Sequence, residues 1–106
     1  MNIKLSDPAP QIGGQTEVSF TLQYAGDTPA KLAVDTIVHR SLANGKLGSK
    51  VFKLATPTVK PGQALALSQV VKFKQLSTRS FYPGPGRVEV QVNGVVLSSV
   101  DFVLSN

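Results

Sequence analysis

The chain has 106 residues, of which 42% are hydrophobic and 16% are charged, and its formal net charge is +5. This length and balance are typical of one folded domain and exclude a disordered chain. The absence of cysteine excludes disulfides and thiolate metal sites, and the single His39 leaves almost nothing to bind zinc, so we expect no metal and no cofactor. The N-terminal residues form no apolar signal segment and no run reaches membrane-spanning length, which predicts a cytoplasmic protein without a membrane partner.

The chain begins with a proline-containing segment, residues 1–14, which we expect to be an edge strand or the remnant of a linker. After it, apolar and polar residues alternate in several short runs, which is the period of a half-buried strand. No window repeats with helical periodicity. The clearest alternating runs are Val18–Tyr24, Leu65–Phe73 and Val88–Val92, and residues 32–38 and 51–54 are also rich in strand-forming side chains.

Turn-forming dipeptides separate these runs. Asn44-Gly45 and Asn93-Gly94 each predict a two-residue hairpin with a type I′ turn, because both positions of that turn need positive φ. Pro61-Gly62 fits the central positions of a type II turn. We therefore predict a single all-β domain over residues 1–106, an antiparallel sandwich of about seven strands with an immunoglobulin-like arrangement.

The last strand contains a conflict between its turn and its apolar pattern. A two-residue loop at Asn93-Gly94 places Val95 and Leu97 on the inward face, and continuing that register buries Ser99 and exposes Phe102. A one-residue bulge near Ser98-Ser99 resolves the conflict. Strict alternation from Ser98 to Asp101 would contradict that position.

The charges are unevenly distributed along the chain. No acidic residue lies between Thr36 and Val88, and a surface of one sign favours a polyanion such as nucleic acid. Exposed lysines also protect sheet edges from pairing, and Lys72 and Lys74 alternate with apolar residues as a solvated face does. The cations of this stretch are Arg40, Lys46, Lys50, Lys53, Lys60, Lys72, Lys74, Arg79 and Arg87.

Catalytic constellations are lacking in the sequence. Asp35 and His39 are the only aspartate and histidine that lie close together in the sequence. On a strand their spacing separates the Cα atoms by roughly 13 Å at about 3.3 Å per residue, too far for a catalytic pair. There is no nucleophile elbow, no second histidine for a triad and no phosphate-binding loop that opens a helix. We expect that the chain is not an enzyme by itself.

Two blocks carry a resemblance to a known family. Residues 34–53 include Val34-Asp35-Thr36-Ile37-Val38-His39, Ala43-Asn44-Gly45-Lys46 and Lys50-Val51-Phe52-Lys53. Residues 77–94 include Ser77-Thr78-Arg79, Tyr82-Pro83-Gly84 and Arg87-Val88-Glu89-Val90-Gln91-Val92-Asn93-Gly94. From Lys4 to Leu104, the chain resembles the immunoglobulin-like C-terminal domain of bacterial AlkC-type alkylation-repair DNA glycosylases of the HEAT-repeat superfamily.

The resemblance implies an accessory module, because the glycosylase chemistry of that family belongs to its HEAT-repeat domain. The partners it implies are duplex DNA, held through its phosphates, and a HEAT-repeat glycosylase domain in the same or a separate chain. The alternative is a structural or protein-binding module without DNA affinity of its own. The resemblance implies five basic positions that contact DNA, and the charge pattern adds Arg40. The DNA-binding residues that we predict are therefore Arg40, Lys46, Lys50, Lys53, Arg79 and Arg87.

Overall fold

The computed structural model describes residues 2–42, 46–74 and 81–106. Over these ranges the secondary structure consists of strands without a helix, so no helix there is long and apolar enough to cross a membrane. The strands are β1 (Lys4–Leu5), β2 (Gln15–Gln23), β3 (Ala30–Lys31), β4 (Val34–Ser41), β5 (Leu47–Ala55), β6 (Thr58–Val59), β7 (Ala64–Lys72), β8 (Gly84–Val92) and β9 (Val95–Leu104).

The strands form an immunoglobulin-like antiparallel sandwich, as predicted. One sheet has the order β1-β2-β7 and the other β5-β4-β8-β9. The two-residue strands β3 and β6 pair with each other, which accounts for a strand count above the seven expected. Alternate side chains of both sheets face each other, so that Val18 of β2 and Val88 of β8 are fully buried between them.

The turn chemistry is confirmed at two of the three dipeptides. Asn93 has φ of 50° and Gly94 of 84°, and Val92 pairs directly with Val95, as in a type I′ hairpin. At the other turn, Gly62 has φ of 78°, and the Gln63 amide donates to the Lys60 carbonyl at 3.0 Å, as in a type II turn. The third dipeptide, Asn44-Gly45, lies outside the described residues.

The bulge in β9 lies at Leu97, so the position predicted from sequence is wrong. Val90 pairs with Ser98 and Gln91 with Val96, which leaves Leu97 without a partner on β8. From Ser98 onward, inward and outward residues alternate strictly. Val95 and Leu97, expected to face inward, are instead 60% and 53% exposed. A bulge at either position gives the inward positions to Phe102 and Leu104, which are both 2% exposed. The two positions differ in Leu97, which the observed bulge leaves at the surface.

The N-terminal segment passes from one sheet to the other. β1 pairs with the middle of β2, and beyond it the Pro8 and Pro10 carbonyls accept hydrogen bonds from Val103 and Ser105 beside the end of β9. Proline is compatible with this position because only its carbonyl is used. The segment therefore closes one side of the sandwich at the end where β2 begins.

Candidate nucleic-acid interface

The inward face of β5 is only partly covered, because β5 is the edge strand of a sheet that has one strand more than its partner. Lys50 is opposite Val38 in the ladder and Phe52 is opposite Thr36, which are inward positions. Lys50 is nevertheless exposed and Phe52 only half-buried. A position that would belong to the core on a central strand can therefore carry a cation here.

A crevice of about 30 Å³, which we call the edge crevice, opens beneath this face of β5. The Arg40 guanidinium carbon lies 4.9 Å from the centre of the Phe81 ring, and the Lys50 Nζ lies 5.1 Å from the centre of the Phe52 ring. These are cation–π distances, so the rings restrain both cations. The residues lining the edge crevice are Val38, Arg40, Lys50, Phe52, Val71, Lys72, Phe73 and Phe81.

The edge crevice brings together two predicted site residues, Arg40 and Lys50, and adds a third cation. The alternation of its strand predicts that Lys72 belongs to a solvated face. It is exposed, but as the last residue of β7 it also reaches the mouth of the edge crevice. The sequence signal that could have identified Lys72 as a site residue is its position: it ends an alternating run, two residues after Val70 and directly before the buried Phe73.

The two basic segments of the sequence meet at one end of the sandwich. The Ser41 hydroxyl donates to the Pro85 carbonyl at 2.9 Å, which joins the end of β4 to the start of β8. On the other side of the same end, the Leu42 amide donates to the Lys46 carbonyl at 2.8 Å and holds exposed Lys46 at the start of β5. Arg79, also predicted as a site residue, lies outside the described residues.

Lys53 and Arg87 lie on the outer face of the four-stranded sheet, away from the edge crevice. Lys53 is opposite Asp35 in the ladder. The Arg87 Nε donates to the Asp101 carboxylate at 2.7 Å. This hydrogen bond lowers the pKa of Asp101 and raises the pKa of Arg87, so both groups are charged at neutral pH. The predicted residues are thus divided between two faces, and on the outer face they have carboxylates beside them.

His39 also lies on this outer face, where it forms a pair that sequence reasoning missed. Its Nε2 hydrogen-bonds to the Glu89 carboxylate across the β4–β8 ladder, rather than to Asp35 on its own strand. Glu89 is directly opposite Ile37, so His39 is its diagonal neighbour. A cross-strand pair of this kind contributes to sheet stability. Finding it from sequence requires the register of two strands separated by fifty residues.

Comparison with known proteins agrees with this architecture. The family described as "Uncharacterised protein YhaZ, C-terminal Ig-like domain" matches residues 1–106. The protein YhaZ of Bacillus subtilis (strain 168) is 30% identical over 91 residues, which are 86% of this chain and 25% of YhaZ. The structure of the Pseudomonas fluorescens alkylpurine DNA glycosylase AlkC, bound to DNA containing an abasic site analog, superposes with a TM-score of 0.95 at 30% identity over 99% of this chain.

These findings confirm the resemblance to the AlkC-type domain. They also show that the chain spans only 29% of the AlkC chain and 25% of YhaZ. A β-glucosidase from Listeria innocua has a TM-score of 0.78 at 12% identity over 99% of this chain and 16% of the enzyme. At that identity the likeness concerns the fold alone.

Proposed function

We propose, from the premise that this chain belongs to the family of YhaZ C-terminal Ig-like domains, that it is a non-catalytic accessory module of an alkylation-repair DNA glycosylase. In this role it contacts the phosphates of duplex DNA in the cytoplasm of a bacterial cell. The observation that carries the proposal is the edge crevice, where Arg40, Lys50 and Lys72 surround a small aromatic cleft. The likeness to AlkC, whose structure holds DNA containing an abasic site analog, supports the choice of polyanion.

The edge crevice is suited to phosphates because aromatic rings restrain two of its three cations. Cation–π contacts restrain Arg40 and Lys50, which reduces the side-chain entropy lost when a phosphate binds. The strand residues that line the crevice come from a segment without acidic residues, Thr36 to Val88. Contacts of this kind give affinity and orientation but do not read base sequence.

The chemistry of base excision would come from a HEAT-repeat glycosylase domain, in the same chain or in a separate one. Two carboxylates of this module have partners within the sheet: Glu89 bonds to His39 and Asp101 to Arg87. A module of this kind contributes by holding the DNA against the catalytic domain. It therefore changes the affinity of the complete enzyme for DNA more than the rate of the chemical step.

The test is fluorescence anisotropy of a labelled duplex, intact or with an abasic site, titrated with the 106-residue chain at two salt concentrations. Four phosphate contacts, from Arg40, Lys46, Lys50 and Lys72, predict roughly a hundredfold loss of affinity for a fourfold rise in salt, at a slope of about −0.9 per contact. Removing one contact lowers this loss to roughly fortyfold. Both duplexes should behave alike, because phosphates are common to them.

The chain offers a matched pair of variants on one strand. Lys50→Glu places a negative charge at the edge crevice, whereas Lys53→Glu makes the same change on the outer face. We expect Lys50→Glu to weaken binding at least several-fold and to flatten the salt dependence, and Lys53→Glu to have much less effect. Equal effects of the two variants would contradict the assignment to the edge crevice. Circular dichroism and urea unfolding verify that both variants fold.

A second candidate function is docking to a protein through the outer face of the four-stranded sheet. Leu47, Val51 and Val103 of that face are 60%, 56% and 57% exposed, an apolar character that suits a protein partner. Absence of DNA binding at low salt would favour this function over the first.

A further inference from the structure

One side of β2 is paired over its whole length and the other over a short stretch only. All nine residues from Gln15 to Gln23 pair with β7, whereas β1 pairs with Val18 and Ser19 alone. The Ser6 amide extends the second contact by donating to the Glu17 carbonyl at 2.9 Å. From Thr21 to Gln23, none of the described residues pairs with this second side.

The backbone of Thr21 and Gln23 points toward the open side. The Glu17 carbonyl faces β1, and the Tyr24 amide donates toward β7, to the Gln63 carbonyl at 2.9 Å. Since successive residues of a strand point their N–H and C=O groups to opposite sides, odd-numbered residues of β2 face β1. Thr21 and Gln23 are exposed and present two N–H and two C=O groups there, which is a template for one more strand.

A groove runs along this open edge. It has a volume of about 450 Å³ and is lined by Thr21, Leu22, Gln23 and Leu97. Leu97 is the bulged residue of β9, 53% exposed, so the bulge turns an apolar side chain toward the groove. Leu22 and Leu97 also line a neighbouring cavity of about 160 Å³, whose other apolar walls are Leu32, Val59, Leu65 and Val92.

We propose that this groove holds an extended segment of polypeptide that continues β1 antiparallel to β2, and that the segment consists of the start of this module, from Asn2 upstream, and the connection to the domain before it. Lys4 is opposite Ser19 and β1 runs antiparallel to β2, so in the same register Asn2 comes opposite Thr21, and only the positions opposite Leu22 and Gln23 lie further upstream. Ile3 already packs against the buried residues around Val18 and those around Phe20, and it directs the chain into that path. The inference is independent of DNA binding.

The relatives supply the reason to choose this occupant. The family description places the module at the C-terminus, and the module accounts for only 25% of YhaZ and 29% of AlkC. A long preceding chain in such proteins has to join the module next to β1. A strand added there gains main-chain hydrogen bonds from Thr21 and Gln23 and removes an exposed edge.

The groove also specifies the side chains of the segment. A segment in the register of β1 directs the side chain opposite Leu22 inward, toward the 160 Å³ cavity and Leu97. Its neighbours, opposite Thr21 and Gln23, face solvent with them. We therefore expect a large apolar residue at the inward position and polar residues on either side of it.

The experiment compares two N-terminal extensions of the 106-residue chain by hydrogen exchange of individual amides in NMR spectra. One extension is the segment of about fifteen residues that precedes the matching module in Bacillus subtilis YhaZ, enough for a strand and a turn. The other has equal length and consists of Gly and Ser. We expect the natural segment to slow exchange of the Gln23 amide at least tenfold and the Gly-Ser segment to leave it unchanged. The Gln23 amide is the one to compare, because Asn2, which both proteins share, comes opposite Thr21 in the register of β1. Unchanged exchange with the natural segment would overturn the proposal.

Two substitutions sharpen the result. Thr21→Pro removes the amide that faces the groove and leaves the ladder with β7 intact, and Thr21→Val keeps that amide. In the extended protein, Thr21→Pro should abolish the protection of the Gln23 amide, and Thr21→Val should retain it. If Thr21→Pro fails to fold, the comparison of the two extensions decides the question alone. Protection that appears together with dimerisation, measured by light scattering, would assign the edge to a second copy of the chain and overturn the proposal.

Discussion

Gly86→Ala should destabilise the sandwich strongly, because the position has no room for a methyl group. Gly86 is in β8, directly opposite Phe102 of β9. A Cβ atom there would lie 2.2 Å from Cζ and 2.5 Å from Cε2 of Phe102, and 2.7 Å from the backbone oxygen of His39. Carbon atoms pack best at about 3.5–4.0 Å, so the ring has to move by more than about 1 Å.

The surroundings resist that movement. Phe102 is 2% exposed and its ring centre lies 5.3 Å from that of Phe73, which is fully buried. The His39 oxygen belongs to the backbone of β4, a central strand that pairs on both sides. Overpacking costs about 1–3 kcal/mol, and restriction of the unfolded chain by alanine returns up to about 1 kcal/mol. We expect a net loss of about 2 kcal/mol, or a fall in Tm of roughly 8–16 °C.

Urea unfolding followed by circular dichroism measures this loss. Phe102→Leu removes the ring atoms that collide with the new methyl group, so the double variant should recover about 1 kcal/mol relative to the sum of the single variants. Recovery stays incomplete because the His39 oxygen remains. A loss below about 0.5 kcal/mol for Gly86→Ala, with an unchanged m-value, would refute the reasoning, since β8 and β9 would then separate easily.

Three smaller effects follow from other contacts. Gly62→Ala should cost about 1 kcal/mol in thermal unfolding, because φ is +78° there and no neighbouring atom hinders the methyl group. Thr16→Val should cost about 1–2 kcal/mol in urea unfolding, since the buried hydroxyl donates to the Asp7 carbonyl at 2.8 Å and accepts from its amide at 3.0 Å. Arg87 lowers the pKa of Asp101, so the stabilisation from this pair is complete above pH 3.8, the pKa of the carboxyl in the unfolded chain, and disappears as the pH falls through its pKa in the folded protein. Asp101→Asn should therefore flatten the dependence of unfolding free energy on pH in that acidic range.

Features that depend on neighbouring residues were predictable from the sequence. The positive φ demands of Asn93-Gly94 and Pro61-Gly62 are local, and both turns form as predicted. Alternation in the run from Val18 and in the run from Val88 is a local pattern too, and it identified β2 and β8. The same rule separates Lys50 from Lys53, because residues an odd number of positions apart on a regular strand face opposite sides. Treating the two lysines as one site overlooked that signal.

Features that depend on register were not predictable. The pairs His39–Glu89 and Arg87–Asp101 need the alignment of β4, β8 and β9, and a shift of one residue would move each side chain to the other face. The bulge shows the same limit. The sequence indicates that β9 needs an extra residue, but its position follows only from the pairing of Val90 with Ser98 and of Gln91 with Val96.

The two proposed contacts lie toward opposite ends of the module. β2 runs from Gln15, which pairs with Lys72 at the edge crevice, to Gln23 at the groove, and the longest extent of the molecule is 46 Å. A preceding domain attached at the groove would therefore hold the edge crevice at the far end of a rigid sandwich. Loosening the attachment would leave the phosphate contacts of the isolated module intact and lower their effective concentration in the complete protein. Thr21→Pro should consequently weaken DNA binding by the full-length protein and not by this chain alone, whereas Lys50→Glu should weaken both.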